Sequence, residues 1–140
     1  MKPKLTEKLP DKIHLLLDVA LNDLNKVRRS KRYDVDMNDW HSGPHNGLCT
    51  VCLAGAVMAK TLHADYTKDI NPVMMGENCD KLYALDDLRC GNLWDSMVML
   101  CIDPPEDFPT YMYIPEYAAD PTGFLRAMRK MQALFRKHDL

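Results

Sequence analysis

The sequence contains no long hydrophobic run, and none of its apolar stretches reaches the roughly 18 residues that a membrane-spanning helix needs. The amino terminus, MKPKLTEKLPDK, lacks the apolar segment of a secretory signal peptide. Internal repeats and low-complexity tracts are also absent. We therefore expect a cytoplasmic protein without a membrane association, and its 140 residues are predicted to fold as a single domain, 1–140.

Motifs that mark common enzyme classes are missing as well. There is no Gly-rich phosphate loop, no H-E-x-x-H, no G-x-S-x-G and no spaced acidic pair. The five cysteines are an odd number, and a reducing cytoplasm would keep all of them as free thiols. These absences favour a binding protein over an enzyme.

Charge is distributed unevenly along the chain, although the formal net charge is only −2. Residues 34–120 contain four Lys/Arg and fifteen Asp/Glu, whereas both ends of the chain are basic. The acidic middle predicts either a solvated face or a surface that binds a basic partner. Such an acidic surface could also imitate a nucleic-acid backbone. The basic run KVRRSKR at 26–32 is typical of a helix end, and phosphate contact in a nucleic-acid-binding module is its alternative interpretation.

Apolar residues that recur every three or four positions predict a helix at each end of the chain. The apolar stripe of the first, at 10–32, consists of Ile13, Leu16, Leu17, Ala20, Leu21, Leu24 and Val27. The stripe of the last, which opens at Asp120-Pro121, consists of Phe124, Met128, Met131 and Phe135. Both helices should pack one face against a common core.

Three further helices are expected between these two. The first should run from Cys49 to His63 and is apolar almost all round, which places it at the centre of the fold. The second should be capped by Asn78 or Asp80 and end at Gly91, and a short third one should follow at 93–101.

The remaining segments are predicted to be non-helical. Alternation at 33–37 indicates a short extended segment, HSGPHNG at 41–47 reads as a loop, and 104–121 should wrap the surface. Trp40 and Trp94 are expected in the core. The predicted fold is mainly α, a single compact domain of about five helices with a short extended or β segment and a Pro/Tyr-rich surface loop.

A cluster of histidines and cysteines allows three interpretations. His41, His45, Cys49 and Cys52 could be ligands of one zinc ion, with Cys79 and Cys90 as outer partners, because C-x-x-C suits tetrahedral zinc. No second C-x-x-C pair accompanies them, so we expect no metal and no cofactor, with zinc as the alternative.

The second interpretation is a nucleophile, because a cysteine at a helix amino terminus has a lowered pKa. Cys49 would occupy that position, and candidate bases and orienting groups are His41, His45, His63, Asn46 and Asp65. The third interpretation is structural: both thiols pack in a core helix, and the histidines lie in an exposed or backbone-bonded loop.

The segments CTVCLAGAVMA and LYALDDLRCG, taken together, resemble a loose group of small uncharacterised proteins carried by phages and prophages. The resemblance covers about residues 40–102 and rests on Cys52, Leu53, Gly55 and Ala56, then on Leu82, Leu85, Asp86 and Arg89. It implies a phage origin, and the cytoplasm of a host cell as the location, but no activity.

The segment TYMYIPEY is the predicted partner-binding patch, because tyrosine and methionine are favoured at interfaces. Its residues with their acidic neighbours are Tyr111, Met112, Tyr113, Tyr117, Asp103, Glu106 and Asp107. The sequence thus predicts a small phage-type accessory protein that binds and modulates a host or defence-system protein, as an inhibitor or anti-defence factor. A cysteine- or zinc-dependent enzyme and a nucleic-acid-binding module remain the alternatives.

Overall fold

The computed structural model describes residues 7–140 and is mainly helical with one small sheet. In chain order the elements are α1 (Ile13–Arg29), β1 (Tyr33–Val35), β2 (His41–His45), β3 (Leu48–Val51), α2 (Leu53–Ala59), a 3₁₀ helix (Pro72–Asn78), α3 (Cys79–Arg89), α4 (Leu93–Met99) and α5 (Pro121–Lys137). The five α-helices confirm the mainly helical prediction, but the sheet is larger than the single extended segment that we expected. In the range 7–140 no helix combines the length and the apolar character needed to cross a membrane.

The sheet has the strand order β1-β3-β2. β1 runs parallel to β3, and β2 runs antiparallel to it. The predicted loop at 41–47 is therefore wrong in part, because its first five residues form β2 and only Asn46 and Gly47 turn the chain. Both have positive φ, 53° and 81°, as a tight hairpin requires.

The predicted helix from Cys49 to His63 is also wrong at both ends. Cys49 lies in β3, and the helix begins only at Leu53 and ends at Ala59. The sequence pattern did not separate the strand from the helix. Both are buried, so the apolar run continues without a break from one to the other. Cys52 separates them: its thiol accepts a hydrogen bond from the Gly55 N–H at 3.3 Å and caps α2.

The terminal helices follow their predicted stripes. All seven stripe residues of α1 and all four of α5 are buried. Asp120 caps α5 by accepting a hydrogen bond from the Gly123 N–H at 2.9 Å. α1 packs against both α2 and α5, and the core continues into α3 through Leu82, Leu85 and Leu88.

Two smaller expectations need correction. Asn78 occupies the capping position of α3, yet its side chain bonds Leu9 N and Glu7 O instead, at 2.9 and 2.7 Å. Trp94 is a surface residue with 40% of its area exposed, whereas Trp40 is partly buried against the core. Gly91 ends the α3 turn with a φ of +83°, as predicted.

The backbone of Trp40 passes directly over Gly55 of α2. A Cβ atom at Gly55 would stand 1.6 Å from the carbonyl oxygen of Trp40. Only glycine allows this approach, since the atoms that a Cβ would meet, the carbonyl oxygen and carbon of Trp40, belong to backbone and cannot rotate away as a flexible side chain would.

We expect Gly55→Ala to lower the free energy of unfolding by about 3 kcal/mol, because the methyl group displaces backbone rather than a flexible side chain. Urea denaturation measures the loss. Gly47→Asn is the control: Gly47 has open space around it, and asparagine tolerates its positive φ at a cost of about 1 kcal/mol. Equal losses in the two variants would contradict the close packing of Trp40 on α2.

α1 also buries a carboxylate. Asp23 is 2% exposed and accepts a hydrogen bond from the Thr61 hydroxyl at 2.5 Å, with Lys26 at 3.7 Å. Burial raises the pKa of Asp23 above its ordinary 3.8, although the bond from Thr61 and the charge of Lys26 oppose the rise. The folded protein therefore holds this proton more tightly than the unfolded chain does.

It follows that the stability contributed by Asp23 is complete below its ordinary pKa and declines as the pH rises through the higher folded value. Asp23→Asn removes this decline, so we expect the variant to gain stability relative to wild type between pH 3 and pH 7. Asp11→Asn should change in the opposite direction, because the hydrogen bond from Lys81 lowers the pKa of Asp11. Urea denaturation across this pH range tests both, and parallel profiles of the two variants would contradict the assignment.

Candidate functional site

The histidine–cysteine cluster is split by the fold, and only His41 and Cys49 meet. His41 is 2% exposed, and its Nδ1 lies 2.9 Å from the carbonyl oxygen of Lys68. A carbonyl oxygen only accepts, so Nδ1 is the donor in this hydrogen bond. The Cys49 Sγ lies 3.6 Å from Nε2 and 3.7 Å from Nδ1, so the sulfur packs against the ring rather than in line with one nitrogen. His41 is therefore buried, contrary to the expectation of a loop histidine, because β2 carries it into the interior.

The surroundings of Cys49 keep its thiol protonated. Burial, and next the negative charge of Asp69, raise the pKa of Cys49 to about 11. The expectation of a thiol activated by a helix dipole is wrong for this residue, because Cys49 lies in a strand. The other candidate bases, His45 and His63, are exposed. The arrangement binds His41 to the sheet rather than presenting a nucleophile to solvent.

Cys52 has different neighbours from Cys49. Its thiol caps α2 and lies about 4.0 Å from the carbonyl oxygen of Trp40, and burial raises its pKa to about 11. Within the described range 7–140, no three His, Cys, Asp or Glu side chains gather closely enough to hold a metal ion. The four residues of the sequence cluster thus do not form one site.

In the tyrosine-rich segment, by contrast, successive side chains are alternately exposed and packed against the core. Tyr111 and Tyr113 are 56% and 72% exposed, and Met112 between them is packed against the core. Side chains of an extended chain point alternately to opposite sides, which accounts for this pattern. Tyr117 is partly buried, and its ring meets Phe124 edge-on at 5.5 Å.

α4 adds two exposed apolar residues beside this segment. Trp94 and Val98, 40% and 65% exposed, are one helical turn apart. The Trp94 Nε1 donates to the carbonyl oxygen of Phe108 at 2.9 Å, and a β-bridge between Asn92 and Tyr111 holds the segment against the start of α4. We name the set Trp94, Val98, Tyr111 and Tyr113 the α4 surface.

The α4 surface lies in a strongly acidic part of the chain. Residues 90–120 contain six Asp/Glu and no Lys, Arg or His. All six carboxylates are exposed and form no ion pair with any residue in 7–140, and four of them, Asp95, Asp103, Glu106 and Asp107, lie between the start of α4 and the tyrosines. Burial, together with the charges of Asp95 and Asp86, raises the pKa of Asp87, as expected where negative charge accumulates. The α4 surface is therefore apolar, and the chain around it carries exposed carboxylates and no basic residue.

A cleft that the sequence did not reveal lies between β1 and the segment 114–118. Its volume is about 650 Å³, and a smaller cavity of about 150 Å³ adjoins it. Met37, Asn38 and Arg89 line both. Cys52 and Asp86 line the smaller one, so three residues on which the phage-type resemblance rests meet there. Sequence patterns missed the cleft because its walls come from four distant segments.

No family model, no curated protein and no solved structure matches this chain. The resemblance to phage-carried proteins therefore stays a prediction from the sequence. What the site can do has to be argued from its geometry and charge.

The thiols differ enough in exposure to be told apart chemically. With a pKa of about 11, Cys49 and Cys52 are thiolates in only about one molecule in ten thousand at pH 7, and both are buried. We expect iodoacetamide to label the exposed Cys90 and Cys101 first, and Cys49 and Cys52 only after unfolding. Peptide mapping by mass spectrometry measures each rate. If Cys49 in the folded protein is labelled as fast as Cys101, the result contradicts its burial and supports the nucleophile interpretation.

Proposed function

We propose that this protein acts by binding a partner protein with a basic surface, as a phage-type accessory protein that modulates a host or defence-system protein. The observation that carries the proposal is the α4 surface, where a tryptophan, a valine and two tyrosines are exposed together in an acidic part of the chain. Binding energy at protein interfaces is concentrated in such aromatic side chains.

The exposed apolar residues support a docking role because water is a poor environment for them. Val98 is 65% exposed although it lies in a helix, and a helix facing only solvent would gain nothing from valine there. Tyr113 offers a large ring with a polar end, which suits a surface that is wet when free and dry when bound. The area becomes favourable when a partner covers it.

Charge supports a basic partner. Asp103, Glu106 and Asp107 are exposed in the chain segment between α4 and the tyrosines. Carboxylates at an interface rim raise the association rate of an oppositely charged partner and repel acidic ones. Nucleic acid would be repelled here, so a basic protein is the occupant that this surface favours.

The alternative functions find less support in the contacts. The Cys49–His41 pair of the enzyme interpretation is buried, which leaves no access for a substrate. In the basic run at 26–32, Arg32 stacks on the Tyr66 ring at 4.0 Å and Lys26 lies 3.7 Å from Asp23. Part of the run is thus engaged within the molecule.

We expect wild type to capture a basic protein from a bacterial lysate and Val98→Asp to fail to do so, because the substitution places a charge within the apolar contact that we propose. The captured protein is identified by quantitative mass spectrometry and then purified, and its affinity for each variant is measured by calorimetry at two salt concentrations. We expect a loss of at least about tenfold for Val98→Asp.

Val73→Asp is the matched control, because Val73 is 69% exposed in the 3₁₀ helix, outside the α4 surface. It should bind like wild type. Equal losses in both variants, or a partner whose affinity does not fall with added salt, would contradict the proposal.

A further inference from the structure

The 650 Å³ cleft has a volume typical of ligand sites, which span roughly 300–1,000 Å³. Five consecutive residues, 34–38, form one wall, and 114–118 form the other. Arg89 and Cys90 at the end of α3 contribute a third side, together with Phe124 of α5, which is 1% exposed. The cleft is therefore a trough between two short walls. The end of β1 and the turn that follows it at 36–39 form one wall, and a segment that turns at Tyr117 forms the other. An aromatic ring from the core is among its lining residues.

β1 is an edge strand, and one of its edges is unpaired among the described residues. Its bonds to β3 include Cys49 N to Arg32 O and Asp36 N to Val51 O, each 2.9 Å. In a parallel pair, backbone groups of alternate residues face the partner, so those of Tyr33 and Val35 face away from β3. The Val35 N–H is bonded only to the side chain of Asp34, at 3.1 Å. Such an edge can accept an added strand.

The charge of the cleft selects the kind of strand. Asp34, Asp36 and Glu116 line it, and Arg89 is the one basic residue among its lining residues. The Arg89 Nε is already bonded to the Asp86 carboxylate at 2.6 Å. Arg28 lies nearby, 5.8 Å from the Tyr117 ring centre, but does not line the cleft. The lining therefore has excess negative charge and apolar surface from Val35 and Ile114.

We propose that the cleft binds an extended, basic polypeptide segment that pairs with the free edge of β1. The backbone of the segment bonds Val35, which lines the cleft, and continues to Tyr33, which lies on the same edge of β1 but does not line the cleft. Its basic side chains meet Asp34, Asp36 and Glu116, and its apolar side chains enter the trough beside Phe124. The inference extends the proposed function, on which it rests for the idea of a basic partner, by naming the part of the partner that this second site takes.

The test uses a fluorescein-labelled heptapeptide of alternating arginine and valine with the full-length wild-type protein, followed by fluorescence polarisation. We expect saturable binding at a ratio of one to one. The same peptide with methylated backbone nitrogens keeps its charge but cannot pair with a strand, and it should bind at least about tenfold more weakly. A glutamate–valine peptide should not bind.

Two protein variants locate the site. Glu116→Lys should weaken binding by about threefold to tenfold, because the exposed carboxylate at the rim becomes a like charge. Glu77→Lys makes the same charge change in the 3₁₀ helix, at an exposed position away from the cleft, and should bind like wild type. Chemical denaturation verifies that both variants are folded.

No binding of the arginine–valine peptide to folded wild type, equal binding of its methylated form, or equal loss in the two variants would overturn the inference. Full displacement of the peptide by spermine at equal charge concentration would also overturn the inference, because the cleft would then bind cations in general rather than a polypeptide strand. The measurement needs no lysate and no partner, so its failure is distinct from a failure of the proposed function.

Discussion

The rest of the structure depends on the contact between the Trp40 backbone and α2. Gly55 permits it, and the Cys52 thiol caps the helix one turn before it, so the chain can change from strand to helix within a few residues. Through this contact the connection between β1 and β2 packs on α2, which also packs against α1 and α3. Because that connection includes residues 36–38, the same contact sets one wall of the cleft.

Whether the sequence predicts a given helix or strand depends on how many of its faces are buried. α1 and α5 bury one stripe and leave the other side polar, so their periodicity is clear. β3 and α2 are buried almost throughout, so nothing in the run from Cys49 to Ala59 marks the change at Cys52. β2 contains Gly43 and Pro44, residues that indicate a turn, and its pairing with β3 depends on tertiary contacts that no local pattern records.

The candidate sites show the same division. Tyr111 and Tyr113 are predictable from composition, because an extended proline-bounded segment with tyrosines has to expose some of them. Trp94 was expected in the core, and only its bond to Phe108 O explains how it lies along the surface. The cleft was beyond prediction, since Asp34 and Glu116 are brought together only by the packing of β1 beside the last segment before α5. Part of the acidic middle noted in the sequence lies next to the α4 surface in the chain, at Asp95, Asp103, Glu106 and Asp107, and another part lines the cleft, at Asp34, Asp36 and Glu116.

The central claim, that the protein acts by binding through the α4 surface, is tested most directly by hydroxyl-radical footprinting of the free protein and of the captured complex. Trp94, Tyr111 and Tyr113 are all exposed in the free protein and react readily with radicals, as does Met74 of the 3₁₀ helix. The account predicts that the first three become protected in the complex while Met74 keeps its reactivity. Protection of Met74 with unchanged reactivity of the other three would contradict it.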